Sequence, residues 1–281
     1  MLSAFGPPRA ASGETTAPSR KARDALARLL LEACAARLAR SKDEAVAFVR
    51  RTLYAHQLRA ADADPEPQIE RAAHAAIDFL IREQFVRPLA DAPPSPERAD
   101  GGAGAASPPS VQLQLTALGT AAFRASLSPL DALVVHRDLE RANDELALAN
   151  DLHLLYLLSP PDASQSSVRV PWAQYFEVYQ RLESSKKEAG AAVGISERYL
   201  NQRRERRPAR DETDEAESIH GRFWNALVLH EQLHNPSSVG GRASVLAAME
   251  NFDRGSRESL RKNASYNAGA IVTFCGELNW R

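Results

Sequence analysis

Two strings decide the fold: IERAAHAAIDFLIREQFVRPL at residues 69–89 and VQLQLTALG at residues 111–119. In the first, Ile69, Ala72, Ala73, Ala76, Ile77 and Leu80 recur at three- and four-residue steps, which places them on one face of a helix. Glu70, Arg71, His74, Asp78 and Arg82 fall off that face. The period then changes. Phe85-Val86-Arg87-Pro88-Leu89 reads as extended, and Val111-Gln112-Leu113-Gln114-Leu115 alternates apolar and polar with period two, as a half-buried strand does. The intervening DAPPSPERADGGAGAASPPS, residues 91–110, is rich in Pro, Gly, Ala and Ser and reads as a floppy insertion between two strands.

Upstream, residues 1–22 read as a disordered lead-in. They are rich in Ala, Ser and Arg and nearly free of acids, a weak likeness to a transit peptide, and they hold no apolar core of signal-peptide length. Leu26, Leu29, Leu30, Ala33 and Cys34 then mark an amphipathic helix. Ser41 and Glu44 have the capping-box spacing, so a second helix starts there, with Ala45, Phe48, Val49, Thr52 and Leu53 inward. Three helices followed by two strands make a winged-helix plan for residues 23–127. The exposed edge of its third helix suits either a DNA groove or another protein domain.

Downstream the signals are all helical. Ser128, Pro129 and Asp131 supply an N-cap, an N1 proline and an N3 acid. That helix runs to about Asn143, and Leu148, Leu152, Leu155 and Leu158 mark the next, stopped by Ser159-Pro160-Pro161. Further helices are expected at 172–183, 185–193, 196–206, 215–234, 241–250, 256–263 and 266–278. The expected fold class is mainly α: a winged-helix domain followed by an incomplete all-helical bundle domain at 128–281.

Composition narrows the function. The 281 residues are 44 % apolar but only 6 % aromatic, a balance that favours helices. A formal net charge of −1 gives no global basic field, so a nucleic-acid site has to be a local patch. Cys34 and Cys275, both within apolar helical patterns, read as buried free thiols. No apolar stretch has the length of a membrane span.

His230-Glu231-Gln232-Leu233-His234 is a literal HExxH string, which on a helix sets two imidazoles on one face for zinc with the glutamate as base. The extended form with a third histidine is absent, Pro236 follows almost at once, and Glu250 is the nearest downstream acid. His230 also continues the apolar stripe of Phe223, Ala226 and Leu227, as a half-buried packing residue would. No phosphate-binding loop is visible, since Gly240-Gly241-Arg242-Ala243-Ser244 lacks both the glycine spacing and the lysine. KKEAGAAVGISERYL, residues 186–200, reads as two short helices around a glycine-containing corner, in the manner of a helix-turn-helix or of any helical hairpin. Beyond it Arg203, Arg204, Arg206, Arg207 and Arg210 could neutralise phosphates, although Asp211, Glu212, Asp214, Glu215 and Glu217 follow directly. A second basic set, Arg254, Arg257, Arg261 and Lys262, has fewer acids near it.

Four strings in order, SLSPLDALVVHRDLERANDELALANDLHLLYLLSPP, KKEAGAAVGISERYL, IHGRFWNALVL and RGSRESLRKNASYNAGAIVTFCGELNW, resemble the helicase region of DNA polymerase theta, with the Ski2-like superfamily 2 repair helicases next nearest. The resemblance covers about residues 115–280 well and 24–90 more loosely. It implies a ring of two motor domains, a winged helix and a helical ratchet domain, threaded by single-stranded DNA. It also implies 3′-to-5′ translocation, a nuclear location and a role in microhomology-mediated end joining. Both motor domains are missing here, so this chain is expected to hold no cofactor, with ATP and Mg belonging to the motor. Its expected partners are single-stranded DNA and those motor domains, with no membrane. The missing motor points to a fragment, a split gene, an incomplete gene model or a freestanding protein that lost it, and the chain stops where the most direct DNA-gripping helix is expected. Under this resemblance Arg203, Arg204, Arg206, Arg207, Arg254, Arg257, Arg261 and Lys262 are the candidate DNA contacts. Two other functions stay open: a freestanding winged-helix or helix-turn-helix regulator that reads duplex DNA, and a zinc hydrolase built on His230 and His234.

Overall fold

The computed structural model describes residues 20–61, 64–89, 111–144, 150–161, 170–205, 214–234 and 254–280. The architecture is mainly α, with twelve helices and two strands among the described residues. The chain divides into two compact units, Met1–Leu130 with Thr273–Arg281, and Asp131–Val272.

The first unit is organised by α4 (Glu66–Arg82). All six of its expected inward residues are buried, and α1 (Arg20–Ala35) and α2 (Lys42–Val49) pack on that stripe. Ser41 caps α2 by accepting the Glu44 N–H at 3.2 Å, while the Glu44 carboxylate accepts the Arg40 N–H at 2.7 Å, close to the expected box. The expected continuation through Thr52 and Leu53 fails. Thr52 accepts the Ala55 N–H and starts a separate helix, α3 (Leu53–Ala61), so Leu53 is 65 % exposed rather than inward. A threonine hydroxyl that caps a new helix competes with extension of the old one. Four helices rather than three therefore precede the strands.

Strands β1 (Val86–Leu89) and β2 (Gln112–Leu115) pair antiparallel, with Val86 opposite Leu115 and Leu89 opposite Gln112. The segment between α1 and α2 lies along β2: Leu113 donates to the Arg40 carbonyl at 2.6 Å, and Ser41 bridges Gln112. Helix α5 (Ala117–Arg124) follows at once, capped by Thr116, whose hydroxyl accepts the Gly119 N–H. The expected insertion at 91–110 lies outside the described residues.

The second unit holds most of α6 (Pro129–Asp144), then α7 (Asp151–Leu158), α8 (Trp172–Gln180), α9 (Ser184–Ala192), α10 (Glu197–Arg204), α11 (Asp214–His234) and most of α12 (Arg254–Glu277). Helix α11 is its axis: Phe223, Trp224, Ala226, Leu227, Val228 and Leu229 are all in the core, with Tyr156 of α7 and Tyr175 and Tyr179 of α8 around them. Trp224 and Tyr175 rings lie 5.1 Å apart, and burial of each such side chain contributes roughly 2–3 kcal/mol. The expected helix at 241–250 lies outside the described residues. The two helices expected at 256–263 and 266–278 are one. Leu260, Ala264, Asn267 and Ile271 make an uninterrupted buried stripe, and the polar residues between 262 and 266 include no proline or glycine to stop it.

Four helices end on a residue other than glycine in the left-handed region: Arg37 at φ 58°, Gln84 at 60°, Ser126 at 56° and Asn279 at 57°. Each forms the paired closing hydrogen bonds of a Schellman turn, as where Phe85 donates to Leu80 at 2.8 Å and Gln84 to Ile81 at 3.1 Å.

The first turn of α5 rests on the backbone of Phe85. A Cβ added at Gly119 falls 3.0 Å from the Phe85 carbonyl carbon and closer still to its oxygen. Backbone on both sides leaves nothing to rotate away. Gly119→Ala is expected to destabilise the protein by about 2–3 kcal/mol in urea unfolding; an unchanged midpoint would show that this junction is looser than described.

Candidate nucleic-acid interface

The expected basic residues fall into two groups with different surroundings. Helix α10 packs along α8, which lays the Arg203 guanidinium over the Trp172 ring at 4.7 Å and Arg204 over Phe176 at 4.4 Å. Arg203 also reaches Glu217 at 3.2 Å, one of the acids that follow the basic run, and Arg204 lies 3.6 Å from Glu205. A guanidinium held between a ring and a carboxylate has its charge largely compensated. Arg206 and Arg207 lie outside the described residues.

The second group is on α12. Arg254 begins that helix, its side chain outside the described set; Arg257 is half-buried with its Nε atom lacking a hydrogen bond. Arg261 pairs with Glu258 at 2.9 Å on an exposed surface, an interaction worth about 0.2–1 kcal/mol and easily exchanged. The Lys262 ammonium lies 5.9 Å from the Tyr266 ring. Tyr266 is 68 % exposed and Val272 73 %. Lys262, Tyr266 and Gly269 follow at i, i+4 and i+7 on the side of α12 opposite its buried stripe. Tyr266 was not legible as a site residue, because its position on that outer face appears only once α12 is a single helix.

A second residue without a role in the sequence reading is Arg222 of α11, 1 % exposed. It donates to Asp138 of α6 at 2.7 Å, and its guanidinium lies 4.4 Å from the Tyr156 ring centre. Weaker bonds of 3.4 Å reach the Tyr156 hydroxyl and carbonyl. The signal was available in IHGRFWNALVL, where one arginine interrupts an apolar helical run and so requires a buried partner.

The HExxH histidines stack on each other, ring centres 4.2 Å apart. His234 Nδ1 bonds the His230 carbonyl oxygen and its Nε2 lies 3.4 Å from Asp151, while Glu231 is buried. No group of three or more His, Cys, Asp or Glu side chains suited to a metal ion occurs among the described residues. Between β2 and α5 only Thr116 intervenes, and its hydroxyl accepts the Gly119 N–H, so this strand-to-helix junction forms no phosphate-wrapping loop. Gly240–Ser244 lies outside the described residues. No helix described is long and apolar enough to cross a membrane.

Comparison with known proteins gives the family of the chain. Residues 129–281 match the family described as "DNA_pol_Q helicase like region helical domain". The chain is 28 % identical over 262 residues to DNA polymerase theta of Drosophila melanogaster, covering 91 % of this chain and 12 % of that protein. It is 30 % identical over 206 residues to DNA polymerase theta of Caenorhabditis elegans, 73 % of this chain and 11 % of the relative. Helicase POLQ-like of Homo sapiens is 24 % identical over 166 residues, 58 % of this chain and 14 % of that protein. The chain thus spans only a small part of the length of each relative.

Two outcomes test the geometry. Arg222→Met strands Asp138 in the interior and should lose about 3–5 kcal/mol in chemical unfolding, much of it recovered in Arg222→Met/Asp138→Leu; a double variant as unstable as the single one contradicts the pairing. Burial, helped by Lys186 and His234, pushes His230 from 6.5 down to about 4. Between those values the unfolded chain binds a proton that the folded chain excludes, so stability falls as pH drops through that window. His230→Leu should flatten part of that fall, and superimposable pH profiles would rule it out.

Proposed function

The chain belongs to the family of the DNA polymerase theta helicase-like region helical domain, and from that premise we propose that it is a DNA-contacting accessory region of an ATP-dependent helicase of that type. In this proposal the first unit is a winged helix, with α4 as its third core helix and β1–β2 as its wing. The second is a ratchet-type helical domain that holds single-stranded DNA while motor domains, not present in this chain, supply ATP and Mg chemistry. The implied setting is nuclear repair of double-strand breaks by microhomology-mediated end joining.

The observation that carries the proposal is the outward face of α12. An exposed tyrosine one turn beyond Lys262, with Arg261 next to that lysine, combines the two elements that single strands require, a ring for a base to stack on and cations for the phosphates. Both are sequence-tolerant, as suits a protein that translocates. Arg203 and Arg204, already engaged by rings and carboxylates, contribute less.

Fluorescence anisotropy with a labelled oligothymidine tests this. Tyr266→Ala should weaken binding about tenfold, since a base–aromatic stack is worth roughly 1–3 kcal/mol. Lys262→Ala should lower the slope of log affinity against log salt by about 0.7, the value for one phosphate on a single strand. Both residues are exposed, so circular dichroism should be unchanged. Parent-like affinity and salt slope in both variants would remove α12 as the contact face.

A further inference from the structure

Helices α9 and α10 meet at a tight, glycine-closed corner. Gly194 sits at φ 94°, where a side chain would be strained, and closes α9 with a Schellman pair: Ile195 donates to Gly190 at 2.8 Å and Gly194 to Ala191 at 3.0 Å. Ser196 then caps α10 by accepting the Tyr199 N–H. Ala189, Gly190, Val193, Ile195, Tyr199 and Leu200 are buried, so the corner is fixed from inside. Gly190 is the tightest point, where a Cβ would come 3.1 Å from Phe223 and 3.3 Å from Tyr179. In a helix-turn-helix, a corner of this kind lets the second helix enter a major groove.

The outward face of α10 has the matching chemistry. Arg198 is exposed and Gln202 half-buried, four residues apart on one face, with Asn201 beside them. Among the described residues neither the Arg198 nor the Gln202 side chain has a hydrogen-bond or ion-pair partner, in contrast to Arg203 and Arg204 on the same helix. Arginine matches the two acceptors of guanine, and asparagine or glutamine the donor and acceptor of adenine, in the major groove. The acids are accounted for in part: Glu197 accepts from Gln180, and Glu205 accepts a long bond from Asn201 at 3.4 Å and lies beside Arg204. Lys186 stands near the start of α9, and Lys187 beside it donates to the Gln180 carbonyl at 2.9 Å; in a helix-turn-helix the first helix crosses the DNA backbone.

We propose that α9 and α10 form a second DNA contact, directed at double-stranded DNA and separate from the single-strand face of α12. Its ligand is the duplex next to the bound single strand, and its effect is to favour substrates that carry both. The proposal goes beyond the single-strand role and does not require Tyr266 to be correct.

The test uses the full chain and two labelled probes of equal strand length, an oligothymidine and a duplex bearing an oligothymidine tail. The parent should bind the tailed duplex at least fivefold more tightly. Arg198→Ala/Gln202→Ala, on outward positions, should bring the tailed duplex to the affinity of the tail alone and leave oligothymidine binding unchanged. Gly190→Leu, which breaks the corner, should do the same if circular dichroism shows that the remaining helices persist. A parent without preference for the tailed duplex, or a double variant that keeps it, overturns the proposal. A Tyr266→Ala protein that loses oligothymidine binding but still binds the tailed duplex supports it.

Discussion

The second unit depends on a cation that has no access to water. Arg222 enters the middle of α11 from an otherwise apolar run and is held by Asp138 from α6 and by the ring and carbonyl of Tyr156 from α7. Desolvating a guanidinium costs several kcal/mol, and only an opposed carboxylate with good geometry offsets it. Three helices are therefore committed to one relative placement: a shift of any of them leaves a buried charge unpaired. The aromatic cluster around Trp224 and Tyr175 adds the bulk of the stabilisation, but apolar surfaces tolerate sliding in a way that the Arg222–Asp138 pair does not.

The same physics sorts the surface cations. Arg203 and Arg204 could have been free charges, yet α8 presents Trp172 and Phe176 to them and Glu217 closes over one. They act as packing residues whose heads happen to be charged. On α12 and on the outer side of α10 the cations have weaker partners or none among the described residues, and on α12 an exposed tyrosine follows Lys262 one turn along. The net charge of −1 therefore does not describe the local surface: what matters is which cations already have a ring or carboxylate against them and which do not.

Much of the fold was legible where a period met a punctuation mark. The α4 stripe, the pairing of the two strands, the Ser41 box and the Gly194 corner were all read correctly because local sequence and packing demand the same thing there. Thr52 and Leu53 misled because a run of apolar residues does not say where a hydroxyl will restart a helix. The middle of α12 misled in the opposite direction: a polar stretch looked like a break, although Leu260, Ala264, Asn267 and Ile271 carry the buried stripe straight through it. The site was less legible than the fold. Counting arginines found Arg203 and Arg204 but could not show that rings occupy them, and Tyr266 and Arg222 acquire meaning only from which side of a helix each one occupies.

The left-handed caps at Arg37, Gln84, Ser126 and Asn279 have a consequence for how the protein breathes. Arg37, Gln84 and Ser126 each hold a side chain where glycine is at ease, at a cost of roughly 1–2 kcal/mol, and Asn279, whose short amide tolerates that region, at less. That cost is recovered whenever the last turn of the helix opens. The carboxyl ends of α1, α4, α5 and α12 are accordingly pre-loaded to fray, while the glycine-closed end of α9 is not, and hydrogen exchange should enter the molecule by those four doors.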